Sequence, residues 1–140
     1  MSDPEIVSTR LLGAPREAVF RAFTDPDVLA RWWGPEGFGN TFHEFDPRPG
    51  GTWRFTMRGP DGAEYAMVKE FEEVDPPSRI VLLNPEPTHR FRMAMDFAEE
   101  AGGTRLTWRM RFEDPEEAGR VREFVVAANE QNFDRLEAQL

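Results

Sequence analysis

The spacing of hydrophobic residues changes near Thr41 from a helical period to a period of two. Before this point, Val19, Phe20 and Phe23 recur as they would on one side of a helix. After it, apolar and polar residues alternate, as they do in the segment Trp53–Arg58. The sequence therefore predicts helices first and antiparallel strands afterwards.

The first part of the chain predicts one strand and two short helices. The segment Glu5–Leu12 alternates loosely between apolar and polar residues, as a strand does. Pro15 suits the first position of a helix. That helix is expected to end before Asp25, which would cap a second helix with Pro26 in its first turn.

About six further strands are expected after the second helix, separated by proline- and glycine-rich turns. In the longest of them, from Ala63 to Val74, Lys69 shares the inward-facing parity of Tyr65 and Met67. A lysine would be awkward in a core unless a bulge or the end of the strand exposes it.

A long helix is predicted at the C-terminus. Asp114 is a typical N-cap, Pro115 suits the first turn, and Glu117 stands in the capping-box position. Nothing inside this helix breaks it before about Leu140. Its expected apolar stripe contains Val121, Phe124, Val125, Ala128, Leu136 and Leu140.

The predicted fold class is α+β. We expect a single domain, residues 1–140, with a helix-grip fold: a curved antiparallel sheet of about seven strands wrapped around the long C-terminal helix, with two short helices after the first strand.

Several short motifs follow one another along the chain: Ala14-Pro15 with Val19-Phe20, Asp25-Pro26, Trp32-Trp33-Gly34-Pro35, Arg48-Pro49-Gly50-Gly51, Val74-Asp75-Pro76-Pro77, Thr104-Arg105-Leu106-Thr107 and the final helix. In these motifs and their order, the chain resembles the activator of heat shock protein 90 ATPase homologue family, within the START-like and Bet v 1-like superfamily. The resemblance implies the helix-grip fold and a cavity between the sheet and the final helix.

Composition narrows the choice of partners and location. The chain has 140 residues, 17 of them basic and 26 acidic, and its net charge of -9 repels nucleic acid and anionic membranes. It contains no cysteine, which excludes disulfides and thiolate metal sites. The first residues lack the layout of a signal peptide, and no segment approaches the roughly 20 apolar residues of a membrane span. We expect a cytoplasmic monomer or homodimer.

The inward-facing strand residues and the final helix are expected to enclose an apolar cavity. An empty cavity of roughly 300 Å³ would cost about 7 kcal/mol. We therefore expect it to be filled by side chains, hydrated, or occupied by a hydrophobic ligand. The candidate ligand-binding residues are Trp33, Trp53, Phe55, Met57, Tyr65, Met67, His89, Phe91, Met93, Met95, Trp108, Val125, Asn129 and Asn132.

Few residues suggest a more specific chemistry. Tyr65 and Asn132 carry polar groups at positions expected to be buried, so each needs a partner in protein, water or ligand. His89 is expected on a strand at the mouth of the cavity, where it is either a ligand contact or a satisfied rim residue. Neither His89 nor His43 has a carboxylate at a metal-ligand spacing, and no catalytic motif occurs. We predict no metal, no cofactor and no catalytic residue.

A glycine-rich segment follows the second helix, at Gly34, Gly37 and Gly39. It lacks the strand before and the helix after it that a nucleotide site requires. We expect a mobile loop at the entrance of the cavity. Trp32 and Trp33 would either gate this entrance or anchor the helix to the sheet.

Three functions remain open at this point. The convergence of apolar residues favours non-enzymatic binding of a small hydrophobic or amphipathic molecule. The family resemblance implies a second function, stimulation of a heat shock protein 90 type ATPase. Relatives in the wider superfamily imply a third, a cyclase or hydrolase that uses the same cavity.

Overall fold

A seven-stranded antiparallel sheet forms the body of the structure, a computed structural model that describes residues 3–140. The strands are β1 (Glu5–Leu12), β2 (Gly39–Phe45), β3 (Thr52–Arg58), β4 (Glu64–Asp75), β5 (Arg79–Asn84), β6 (Phe91–Glu100) and β7 (Gly103–Phe112). The helices are α1 (Arg16–Thr24), α2 (Pro26–Trp32) and α3 (Pro115–Glu137), and a 3₁₀ helix occupies Pro87–His89.

The spatial order of the strands is β1-β7-β6-β5-β4-β3-β2, so the first strand pairs with the last. The two short helices follow β1, and α3 ends the fold. This confirms the predicted helix-grip architecture. The expectation that the first residues do not form a signal peptide involves Met1 and Ser2, which lie outside the described residues.

Side-chain caps begin two of the helices as predicted. Asp25 accepts a hydrogen bond from the backbone N–H of Asp27 at 3.0 Å, and Asp114 accepts one from Glu116 at the same distance. Pro15 precedes α1 as its N-cap residue rather than occupying its first turn.

The pairing of β3 with β4 sets the inward-facing row of residues. Trp53 lies opposite Lys69, and Phe55 lies opposite Met67, so these four side chains share one face of the sheet. The bulge in β4 falls between Phe71 and Glu73, beyond Lys69. Neither the bulge nor the end of the strand therefore exposes Lys69: it stays in the inward row and is only 6% exposed.

Aromatic side chains pack closely on the inward face. The rings of Trp53 and Phe55 stack with centroids 4.3 Å apart, and Trp33 meets Trp53 edge to face at 5.0 Å. A void of only about 10 Å³ remains beside Trp33 and Trp53. Side chains therefore fill this part of the interior, which leaves no room for an organic ligand.

The helix α3 packs against β1 at one edge of the sheet, and also against β7 and α2. Its buried face is therefore narrower than the predicted apolar stripe. Phe124 is 72% exposed, and Leu140 lies beyond the end of the helix and is also exposed. The prediction that Phe124 and Leu140 belong to the packed stripe is therefore wrong, whereas Val121 and Val125 do pack partly against the core.

Within residues 3–140, no helix has both the length and the apolar character that crossing a membrane would need.

Candidate ligand-binding cleft

An open cleft of about 860 Å³ lies on the side of the sheet formed by β4, β5 and β6. The first half of β4, the end of β5 and the segment leading into β6 form its walls. Its lining residues are Glu64, Tyr65, Ala66, Met67, Val68, Lys69, Asn84, Pro85, Glu86, His89 and Phe91. The volume lies within the range typical of small-molecule sites, roughly 300 to 1,000 Å³.

The structure divides the predicted ligand-binding residues of the strands and of the α2 end into two groups. Those that line the cleft are Tyr65, Met67, His89 and Phe91. The remaining aromatic and methionine residues are buried in the packed core: Trp33, Trp53, Phe55, Met57, Met93, Met95 and Trp108. Aromatic rings fill the interior where a cavity was predicted between the sheet and the C-terminal helix. The open cleft lies next to this filled interior.

The predicted residues of α3 also lie outside this lining. Val125 packs partly against the core. The side-chain amide of Asn129 donates to the Ser8 hydroxyl at 3.1 Å. Asn132 accepts a hydrogen bond from the backbone N–H of Gly34 at 2.8 Å. Both asparagines are buried, and the partner that each required comes from the protein itself.

Tyr65 is 48% exposed, so the prediction that its hydroxyl is buried is wrong. It lies near the start of β4, next to the turn that follows β3, where the inward row emerges into the open cleft. Its ring faces that of Phe38 with centroids 6.4 Å apart. A large part of the tyrosine ring is therefore available as apolar surface.

Lys69 and Asn84 are the polar pair of the cleft, and neither was among the candidate residues. The Lys69 Nζ donates a hydrogen bond to the Asn84 Oδ1 at 3.0 Å, and it lies 5.0 Å from the centroid of the Phe91 ring. Burial lowers the pKa of the Lys69 ammonium from 10.5 to about 8, because desolvation disfavours its charge. The sequence signal that could have identified Lys69 as a cleft residue was the strand parity that it shares with Tyr65 and Met67.

His89 lies at the rim of the cleft on the 3₁₀ helix, rather than on the strand where it was predicted. Its Nδ1 pairs with a carboxylate oxygen of Glu117, the third residue of α3. The hydrogen bond to Glu117 raises the pKa of His89. Glu117 is buried and takes this partner, whereas the capping box predicted for it would have pointed its side chain back to Asp114.

The glycine-rich segment after α2 is tied to α3, which corrects the expectation of a mobile loop. The guanidinium of Arg135 donates to five backbone carbonyl oxygens at 2.8 to 3.3 Å. These oxygens belong to Arg31, Trp33, Gly34, Pro35 and Phe38.

Gly34 in this segment has a φ of +99°, and a Cβ there would lie 2.6 Å from the Met57 Cε. Trp32 and Trp33 are both buried in the core. Their burial favours the second of the two predicted roles, in which they anchor the end of α2 against the sheet.

The cleft offers apolar surface, one buried cation and a histidine at its rim. Within residues 3–140, no three His, Asp or Glu side chains come together in a way that could hold a metal ion. A second hollow of about 310 Å³ lies between the start of α1 and the β6–β7 turn, where Arg16, Glu99 and Glu100 give it a charged lining. The cleft on β4 is thus the better site for an apolar molecule.

The fold is that of a helix-grip protein, and a family model matches the chain directly. The family model for the Activator of Hsp90 ATPase homolog 1-like protein matches residues 13–140, and the chain belongs to this family. The comparison with curated proteins found no match.

Solved bacterial structures share the fold along almost the whole chain. A protein from Mycobacterium smegmatis is 27% identical, with 98% of this chain and 90% of that chain covered and a TM-score of 0.84. A protein from Nitrosomonas europaea is 22% identical, with 97% and 93% covered and a TM-score of 0.88. The AHSA1 protein from Silicibacter pomeroyi is 24% identical, with 96% of each chain covered and a TM-score of 0.76.

Proposed function

We propose that this protein is a non-enzymatic binding protein for a small apolar or amphipathic molecule, which occupies the cleft on β4, β5 and β6. The observation that carries the proposal is the cleft itself, about 860 Å³ in volume, with Tyr65, Met67 and Phe91 in its lining. The packed aromatic interior supports this location, because the void beside Trp33 and Trp53 has a volume of only about 10 Å³.

Covering the exposed apolar wall would drive binding. Tyr65 is 48% exposed, and Met67 and Phe91 are only partly buried. Removing about 100 Å² of such surface from water contributes about 2.5 kcal/mol. Methionine adapts its shape readily, so Met67 favours tolerance of several related ligands over strict selectivity.

The first test is native mass spectrometry of the protein as purified, followed by titration with apolar probes. We expect retained or added molecules of small mass. Met67→Trp would fill part of the cleft and weaken binding at least tenfold. The matched control is Val7→Trp, since Val7 is 46% exposed on β1 and lies outside the cleft lining. Equal binding by both variants would place the ligand elsewhere.

The family supports a second candidate function. Its description names activation of the Hsp90 ATPase, so this chain would act as a co-chaperone on a chaperone of that type. An ATPase assay with the chaperone from the same organism tests the idea. Stimulation together with a complex in gel filtration would support it, and the absence of both would remove it.

A cyclase or hydrolase is the third candidate, favoured only by the His89–Glu117 pair at the cleft rim. A carboxylate on the Nδ1 of a histidine holds the ring in place for proton transfer at its other nitrogen. Such catalysis needs a site that excludes water. We prefer the non-enzymatic function because the His89 side chain is 67% exposed. Turnover of a bound carbonyl or ester compound that is abolished by His89→Gln would reverse this preference.

We also propose a cytoplasmic location and a monomeric or homodimeric state. The high negative charge and the absence of cysteine support the location. Cell fractionation and light scattering test these two points.

A further inference from the structure

Lys69 is a buried cation with no counter-ion among residues 3–140. Its side chain extends from the inward row of β4, and the residue is 6% exposed. An ammonium group has three N–H donors. Among the described residues 3–140, its only hydrogen bond is the one to Asn84, and it forms no ion pair with a carboxylate. Desolvation is accordingly the cause of its lowered pKa.

The partner of Lys69 is itself held in place. The Asn84 Nδ2 donates to the backbone carbonyl of His89 at 2.7 Å, which orients its Oδ1 toward the lysine. One donor of the ammonium is therefore used by a fixed acceptor. The other donors have no acceptor of their own in the described residues, although a charged group in a desolvated position strongly favours hydrogen-bond partners.

Lys69, Asn84 and Phe91 all line the cleft. Exposure falls along the inward row of β4, from 48% at Tyr65 to 6% at Lys69. The cleft thus has an exposed apolar entrance and a buried cation deeper along the same strand. This is the arrangement that an elongated molecule with one anionic end would match.

This inference rests on the proposed function. We propose that the ligand is an amphipathic monocarboxylic acid, whose carboxylate accepts hydrogen bonds from the Lys69 Nζ while its apolar body covers Tyr65, Met67 and Phe91. Glu64 and Glu86 also line the cleft, so a second negative charge on the ligand would meet repulsion at these positions. We therefore expect monoanions to bind and dicarboxylates to be rejected.

Matched pairs of acid and alcohol test this inference. The probes are octanoate against octanol, and 2-naphthoate against 2-naphthalenemethanol, measured by calorimetry at pH 7.5. We expect each acid to bind about 10- to 100-fold more tightly than its alcohol, the effect of one charge-assisted hydrogen bond. In Lys69→Met, acid and alcohol should bind equally, and in Lys69→Arg the preference for the acid should remain.

The pH dependence separates a direct contact from a structural role. The other titratable groups that line the cleft are Glu64, Tyr65, Glu86 and His89. They are the same in the wild type and in Lys69→Arg, so a difference between these two proteins from pH 7.5 to 9.5 reports on residue 69. The preference of the wild type for the acid should decline above pH 8 as Lys69 loses its proton. It should persist in Lys69→Arg, whose guanidinium stays charged.

The outcomes distinguish this inference from the proposed function. Equal binding of acid and alcohol by the wild type overturns the role of Lys69 and leaves the function standing. Failure of every probe to bind overturns both. Circular dichroism of each variant establishes that it is folded before its affinity is interpreted.

Discussion

The side-chain oxygen of Asn132 accepts a hydrogen bond from the backbone N–H of Gly34 at 2.8 Å. The same side chain donates to the Ala128 carbonyl within α3 at 3.0 Å. Asn132 is buried and therefore joins α3 to the segment after α2. Its polar group at the centre of the helix face is used by the fold rather than by a ligand.

Replacing Asn132 by leucine should lower stability. The Asn132→Leu variant leaves the Gly34 N–H without its acceptor, which costs about 1 to 3 kcal/mol in free energy of unfolding. Gln131→Ala is the control, because the Gln131 side chain accepts from the Glu36 N–H at 3.1 Å in an exposed position. Its expected cost is below about 0.5 kcal/mol. Urea denaturation measures both, and equal costs would contradict this account.

Replacing Arg135 by lysine should also destabilise the protein, although the charge is kept. The guanidinium donates to one carbonyl oxygen in the last turn of α2 and to four in the segment after it, and an ammonium cannot reproduce this planar fork. We expect a loss of about 2 to 3 kcal/mol for Arg135→Lys. The comparison is Arg120→Lys, whose side chain is 64% exposed and should change stability by less than about 0.5 kcal/mol.

If Arg135 and Asn132 hold the segment after α2, its amides should exchange slowly with solvent. We expect protection from hydrogen exchange at Gly34 and Phe38 to fall in Arg135→Lys, while protection in β6 is unchanged. Rapid exchange of this segment already in the wild type would contradict the described tether.

The pair of His89 and Glu117 should make stability depend on pH. The pKa of His89 is raised by its hydrogen bond to Glu117. The stabilisation is therefore complete below the unfolded pKa of 6.5 and is lost as pH rises through the higher folded pKa. We expect the stability advantage of the wild type over His89→Gln to shrink from pH 6 to pH 9.

Nuclear magnetic resonance titration checks the cause of this shift. The pKa of His89 should fall back toward its ordinary value in Glu117→Gln, because the carboxylate partner is gone. An unchanged histidine titration in that variant would show that Glu117 is not the cause.

Lys69 should give the opposite sign of pH dependence. Burial lowers the pKa of Lys69 from its ordinary value of 10.5 to about 8 in the folded protein, so the cost of burying its charge is full below pH 8. This cost declines as pH rises from 8 to 10.5 and is absent above that range. The shift corresponds to about 3 kcal/mol. Relative to Lys69→Met, the wild type should therefore gain stability across this interval.

Urea denaturation of both proteins at several pH values between 7 and 10.5 measures this gain. The comparison uses the slope against pH of the difference in free energy of unfolding between the two proteins. The absolute difference is not used, because Lys69→Met also leaves the Asn84 Oδ1 without its donor and adds a constant cost. A stability difference that does not change with pH would contradict the described burial of the ammonium.

Most of the fold was predictable because local chemistry encodes it. Asp25 and Asp114 cap helices by bonds to residues two positions away. The inward row of β3 follows from alternation alone, as its burial shows. The candidate site was predicted less well, since alternation tells which face a residue lies on but not how closely that face is packed.

By itself, the sequence determined the order of the elements, the helix starts, the facing of the strand residues and the family. Each of these depends on neighbours a few positions apart. Only the tertiary structure decided that aromatic rings fill the interior, that Lys69 meets Asn84 and Phe91, and that Glu117 turns to His89. These contacts join separate elements, and they depend on strand register, on the position of the bulge after Phe71 and on the path of the 3₁₀ helix, none of which a short-range pattern specifies.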